Sequence, residues 1–132
     1  MNIVRLLTTI TFIAGLMASS WAFSGESTGS GGTAIQQMAK IMHRLKHYPS
    51  PQGKSELQVL ISASETTGYE RAIARAMVNL EHKVASKDVA PLKAIINDKA
   101  STQSERDLAS IILNLDHRPS NQDKTTLNAM MK

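Results

Sequence analysis

Four histidines are the residues of this chain best suited to chemistry, and three of them, His47, His82 and His117, recur at a spacing of 35. Neutral imidazole is the commonest ligand of transition metals and the side chain most ready to move a proton near neutral pH. His43 and His47 are four residues apart, so on a helix they stand one turn apart and two imidazoles there can share an ion. Met42 lies between them and Met38 one turn before, and thioether beside imidazole suits copper. A metal reading of the sequence therefore falls on His43, His47 and Met42. It competes with a structural reading of the periodic histidines. Equivalent helix ends in a stacked array stand about one repeat width apart rather than converging. An imidazole at such an end has an ordinary task, bonding the last carbonyls and complementing the helix dipole. The sequence is read in this second way, with no metal site assigned and the methionines taken as core filler.

No other constellation reaches a catalytic pattern. Serine is plentiful, but no Gly-x-Ser-x-Gly turn, no Ser-x-x-Lys set with its partners and no His-Glu-x-x-His motif occurs. Glu70 and Glu105 each follow a threonine by three residues, Thr67 and Thr102, which is the spacing of a helix capping box. Arg71 and Arg106 are expected to be solvated or to form ion pairs between repeats. Asn79 and Asn114 recur within the first helices of their units, where they are expected to bond the neighbouring repeat rather than line a ligand groove.

The elements that position these residues are repeated. Residues 41–61 shifted by 70 onto 111–131 share eight identities in 21 positions, among them Leu45/Leu115, His47/His117, Pro49/Pro119 and Leu57/Leu127. Unrelated sequences would share roughly one. Residues 67–82 shifted by 35 onto 102–117 share seven in 16, including Thr67/Thr102, Glu70/Glu105, Arg71/Arg106 and Asn79/Asn114. Within a unit the apolar residues step by three and four, as in Ile73, Met77 and Leu80 or Leu108, Ile112 and Leu115, which is the signature of an amphipathic helix.

Starts at Thr33, Thr67 and Thr102 and stops before Pro49 and Pro119 predict first helices over 33–47, 68–83 and 103–117. Ser50-Pro51 and Ser120 open shorter second helices over 51–62 and 121–131. The middle copy has Val84-Ala85 in place of Pro-Ser, so its second helix is predicted over 88–97 with Ser86 or Asp88 as cap. The fold expected is all-α: three tandem hairpins of about 35 residues, in units 33–62, 67–97 and 102–131 of a helical-repeat domain over 34–132. They would form a short solenoid or close into a compact bundle. The period resembles that of tetratricopeptide-like hairpins, although the Trp, Gly and Tyr signature of their first helix is absent, so the likeness is one of architecture.

Ahead of the repeats, Arg5 precedes an uncharged apolar stretch from Leu6 to Met17 and the small-residue flanks of Ser20-Trp21-Ala22. This is the order of a secretory signal peptide over 1–22, with an apolar core too short to span a bilayer. A Gly/Ser-rich segment over 23–33 reads as a flexible linker. Beyond residue 22 there remain 14 basic and 11 acidic residues, a net +3 without a basic stripe, and two tyrosines. Nucleic-acid binding is not indicated. The chain has no cysteine, so neither disulfides nor a lipid-modified cysteine hold it.

The function expected from these features is that of an exported scaffold without enzymatic activity or cofactor, periplasmic or secreted. It would bind a protein or peptide of the bacterial cell envelope and would not be inserted in the membrane. The alternative is a small periplasmic protein handling copper or zinc through histidine and methionine side chains.

Overall fold

The computed structural model describes residues 33–132, and in them six helices follow one another: α1 (Ala34–His43), α2 (Pro51–Ser62), α3 (Gly68–Val78), α4 (Ser86–Asn97), α5 (Gln103–Leu113) and α6 (Asn121–Met130). The expected signal peptide and all of the linker but Thr33 lie outside the described residues. Among the described residues there is no strand, only an isolated bridge between Asp116 and Arg118.

Capping explains most of the starts. Thr33, Thr67, Thr102 and Ser120 each accept from a backbone N–H three residues on, and Gln36, Glu70, Glu105 and Asp123 return the bond to the cap's own N–H. Each box satisfies two donors that a helix start leaves open. Ser50 caps α2 through the N–H of Gly53, with Pro51 at the first position. The exception is α4, which begins at Ser86, two residues before the expected 88, behind Ala85 and with no side-chain cap.

The odd-numbered helices end four or five residues before the sequence predicted. The N–H groups of Leu45, Leu80 and Leu115 bond the carbonyls of Met42, Met77 and Ile112, three residues back. That tightened turn draws each leucine inward to near-complete burial, and the chain leaves the helix there. Pro49 and Pro119 then hold the residue before them out of helical backbone.

The packing is cyclic. Helices α1, α3 and α5 contact one another in the middle, while each even-numbered helix packs on the next unit: α2 on α3, α4 on α5 and α6 on α1. The α6–α1 contact joins the third unit to the first, so the array closes as a bundle with pseudo-threefold order rather than running on as an open stack. The core follows the same rule, because buried positions come in sets of three spaced by 35. Met38, Ile73 and Leu108 form one set, Ala39, Ala74 and Ala109 the next, then Met42, Met77 and Ile112, then Leu45, Leu80 and Leu115. Leu57, Leu92 and Leu127 repeat it from the outer helices. The alanines leave room for the central helices to approach, and each fully buried large side chain contributes about 1.5–3 kcal/mol.

Candidate metal centre

Two residues beyond the leucine set, the chain places His47, His82 and His117. Cyclic closure brings these positions, 35 residues apart in sequence, to one end of the pseudo-threefold axis. The ring centroids stand 5.4 Å apart for His47 and His82, 5.7 Å for His47 and His117, and 5.1 Å for His82 and His117. The last pair is stacked with 17° between planes, while His47 meets both edge-on. One nitrogen from each of the three lies within 4.8 Å of the others, and all three residues are exposed.

Local sequence explains why these side chains sit together and outside. In the first and third units the histidine is the middle of a five-residue bridge, Leu45 to Pro49 and Leu115 to Pro119, whose two ends are buried and whose three central residues are exposed. The middle unit has Val84 at the proline position, half-buried. Both anchors bind the loop to the core, so the loop cannot carry the imidazole away from the axis.

The third histidine is held most tightly. His117 has φ of 64°, the only positive φ outside glycine among the described residues. The Arg118 N–H bonds the Asp116 carbonyl at 2.8 Å, closing a γ-turn around it. Such a conformation costs a non-glycine residue about 1–3 kcal/mol and persists only where its surroundings impose it. Here the His117 N–H donates to the His82 carbonyl at 2.9 Å, linking two of the three loops. Asp116 Oδ1 lies 2.8 Å from His117 Nδ1. An ionised carboxylate only accepts, so Nδ1 carries the hydrogen and Nε2 keeps the lone pair available to an ion. Lys83 reaches the same carboxylate at 3.8 Å in an exposed ion pair.

Three imidazoles fit a borderline divalent ion. Tetrahedral bonds of about 2.0–2.1 Å require ligand nitrogens roughly 3.4 Å apart, so the rings need to close by ~1 Å, which exposed side chains do by small rotations. The arrangement supplies three nitrogen ligands and leaves the solvent side open.

The structure thus corrects the sequence reading at several residues. His47, His82 and His117 do not cap helix ends: Arg44, Asn79 and Asn114 hold those positions, and the histidines lie beyond them. The set His43, His47 and Met42 is not assembled, because α1 ends at His43, which removes the one-turn spacing, and Met42 is fully buried. Met38 is buried likewise, so neither of these two thioethers stands with the exposed imidazoles. Asn79 and Asn114 bond within their own units, to Asp88 Oδ2 at 2.9 Å and to the Ser110 carbonyl at 3.0 Å, rather than to a neighbouring repeat. Arg71 and Arg106 form no ion pair between repeats; each bonds a carbonyl of the loop before its own helix, Thr66 and Ser101 respectively. A side-chain hydrogen bond does cross units elsewhere, between capping boxes, from Thr67 Oγ1 to Glu105 Oε1 at 3.2 Å.

The periodicity of the histidines is legible in the sequence, and their convergence is not. The available signal was that the first and third units resemble each other as closely as neighbours do, as expected when both meet equivalent surroundings in a ring. No protein-family model, curated protein or solved structure matches the chain.

Proposed function

We propose that this chain is a small exported protein that binds a divalent transition-metal ion through His47, His82 and His117. The observation that carries this reading is the meeting of three imidazoles, one from each repeat, with ligand atoms within 4.8 Å of one another. Imidazole suits zinc and cupric copper, while the thioethers of Met38, Met42 and Met77, of the soft kind that favours cuprous copper, are buried in the core. Export to the cell envelope, by cleavage after Ala22, is the other part of the proposal and rests on the order of charge and apolar residues in 1–22. No helix among the described residues is long and apolar enough to cross a membrane. The role proposed is one of binding.

Isothermal titration of the chain beginning at Phe23 with zinc and with cupric copper tests the reading. One ion per chain, tighter than about micromolar and lost on replacing any one of the three histidines by alanine, is the expected result. Absence of binding, or binding that survives all three replacements, refutes it.

A second reading, a scaffold for an envelope protein or peptide, is favoured by the open groove between α1 and α2. Tyr48 and Val59 border it and are 59% and 66% exposed. The middle unit fastens the equivalent helices through Asn79 and Asp88, but the first unit has Arg44 and Gly53 at those positions and no such bond. Affinity capture from envelope extract that is lost on changing Tyr48 and Val59 to Ser supports this reading, and capture indifferent to both changes refutes it.

A further inference from the structure

A bound ion at this centre would carry a charge that its ligands do not neutralise. Three imidazoles are neutral donors, and no carboxylate belongs to the group of nitrogens that converge. The nearest acid, Asp116, is already engaged with His117 Nδ1 at 2.8 Å and with Lys83 at 3.8 Å. Glu81, the other acid adjoining a site histidine in sequence, is exposed, and three cations also adjoin these histidines in sequence, Lys46, Lys83 and Arg118. Lys46 and Arg118 have no acidic partner among the described residues. Beside His47, Lys40 and Arg44 line the same groove as Lys46, with Glu56 the one acid on its wall. A three-ligand centre leaves a coordination position free, and this one faces solvent because all three histidines are exposed.

We propose, on the basis of the three-histidine reading, that the ion held by His47, His82 and His117 keeps its fourth position open to solvent and takes there a small exogenous oxyanion, a carboxylate, in exchange with water or hydroxide. The chemistry is ligand exchange only: a water molecule leaves the ion, a carboxylate oxygen donates its lone pair in its place, and no electron or group is transferred. The basic residues beside the histidines raise the local concentration of the anion. The face therefore acts as a receptor for a carboxylate-bearing molecule whose affinity depends on the metal.

Cobalt(II) reports both levels of the argument, because its visible d–d bands are strong in four-coordinate sites and change with the identity of each ligand. The chain beginning at Phe23 is titrated with cobalt(II), then with sodium acetate at neutral pH and constant ionic strength, with perchlorate as the control for salt. Expected are a tetrahedral spectrum on adding cobalt, a saturable change with acetate but not perchlorate, and, without acetate, a spectral transition near about pH 7 as the bound water loses its proton. In the double variant Lys46→Gln, Arg118→Gln, cobalt affinity should hold while acetate affinity falls roughly threefold or more. If no cobalt spectrum develops and calorimetry shows no ion bound, the three-histidine reading itself fails. If cobalt binds with that spectrum but acetate leaves it unmoved at about a thousandfold excess over protein, only the open position is refuted. A chain that dimerises on adding cobalt also refutes it, since a second copy would then fill the position.

Discussion

An ion held by one ligand from each unit should lock the ring, and His82→Gln should abolish that lock while changing little else. The three ligand loops are far apart in the chain, and only the folded ring brings them together, so the ion has no comparable site on the unfolded chain. Stabilisation then follows RT ln(1 + [L]/Kd), about 2.7 kcal/mol when free ion is a hundredfold above Kd. For a domain of this size 1 kcal/mol moves the melting temperature by roughly 4–8 °C, so saturating zinc should raise it by about 10–20 °C. In His82→Gln two imidazoles remain and most of that shift should vanish. The metal-free variant should differ from the parent by no more than ~1 kcal/mol, because His82 is exposed and loses only its ring contacts, stacked on His117 and edge-on to His47. Differential scanning calorimetry of both proteins, with zinc and with chelator, measures all four values. An equal zinc-induced shift in parent and variant would refute the reasoning, as would a metal-free variant too unstable to fold, which would make His82 a structural residue.

Four further outcomes are expected. Asp116→Asn should weaken zinc binding by about 10–100-fold, because the amide no longer fixes the His117 tautomer, and NMR of the ring nitrogens should show Nδ1–H lost as the dominant form. His117→Gly should abolish binding yet leave the metal-free protein as stable as the parent or up to ~1 kcal/mol more so by urea unfolding, since glycine takes φ of 64° without strain. Ending the chain at Thr102 should remove the partners of α4 and α1 and expose Leu92, Ile95 and Met38; at ~25 cal/mol for each square ångström newly wetted, the loss approaches the whole stability of a small domain, and circular dichroism should show unfolding or aggregation. Tyr69→Phe should raise the Asp98 pKa toward its ordinary value, because the tyrosine hydroxyl at 2.6 Å is the main cause of its lowering and the Ala100 N–H the lesser one. The lowered pKa means this contact supports the fold above the ordinary carboxylate pKa and is lost as pH falls through the folded value, so carboxyl NMR titration and acid unfolding should move together.

Much of the fold is legible in local chemistry. The capping boxes at Thr33, Thr67 and Thr102, the Ser50-Pro51 start and the apolar steps of three and four are interactions within one turn of chain, so their residues sit close in sequence and carry their own signature. The helix stops were misplaced for a tertiary reason. From Val78 to His82, or Leu113 to His117, nothing local forbids helix; the turn tightens because Leu80 and Leu115 are drawn into the core, which no window of sequence reveals. The missing cap of α4 is of the same kind, since Ser86 and Asp88 are both competent caps and the chain begins the helix behind Ala85 instead.

The site depended on one global variable, the angle between successive units. A small angle stacks hairpins into an open array and holds equivalent residues a repeat width apart, whereas a turn of about a third of a circle closes three units and brings equivalents to the axis. The same 35-residue spacing serves both, so periodicity alone could not decide whether His47, His82 and His117 were three separate helix ends or one cluster. What distinguishes the cases is the treatment of the ends. An open stack needs terminal units with one polar face each, since nothing covers them. Here the first and last units keep full apolar sets, with Met38, Met42 and Leu45 in one and Leu108, Ile112, Leu115 and Leu127 in the other, all buried. Uncapped apolar ends in a three-unit repeat require closure, and closure requires that any side chain repeated at the tip of each unit meet its two copies. Three imidazoles so placed are a potential ligand set as a direct consequence of the ring.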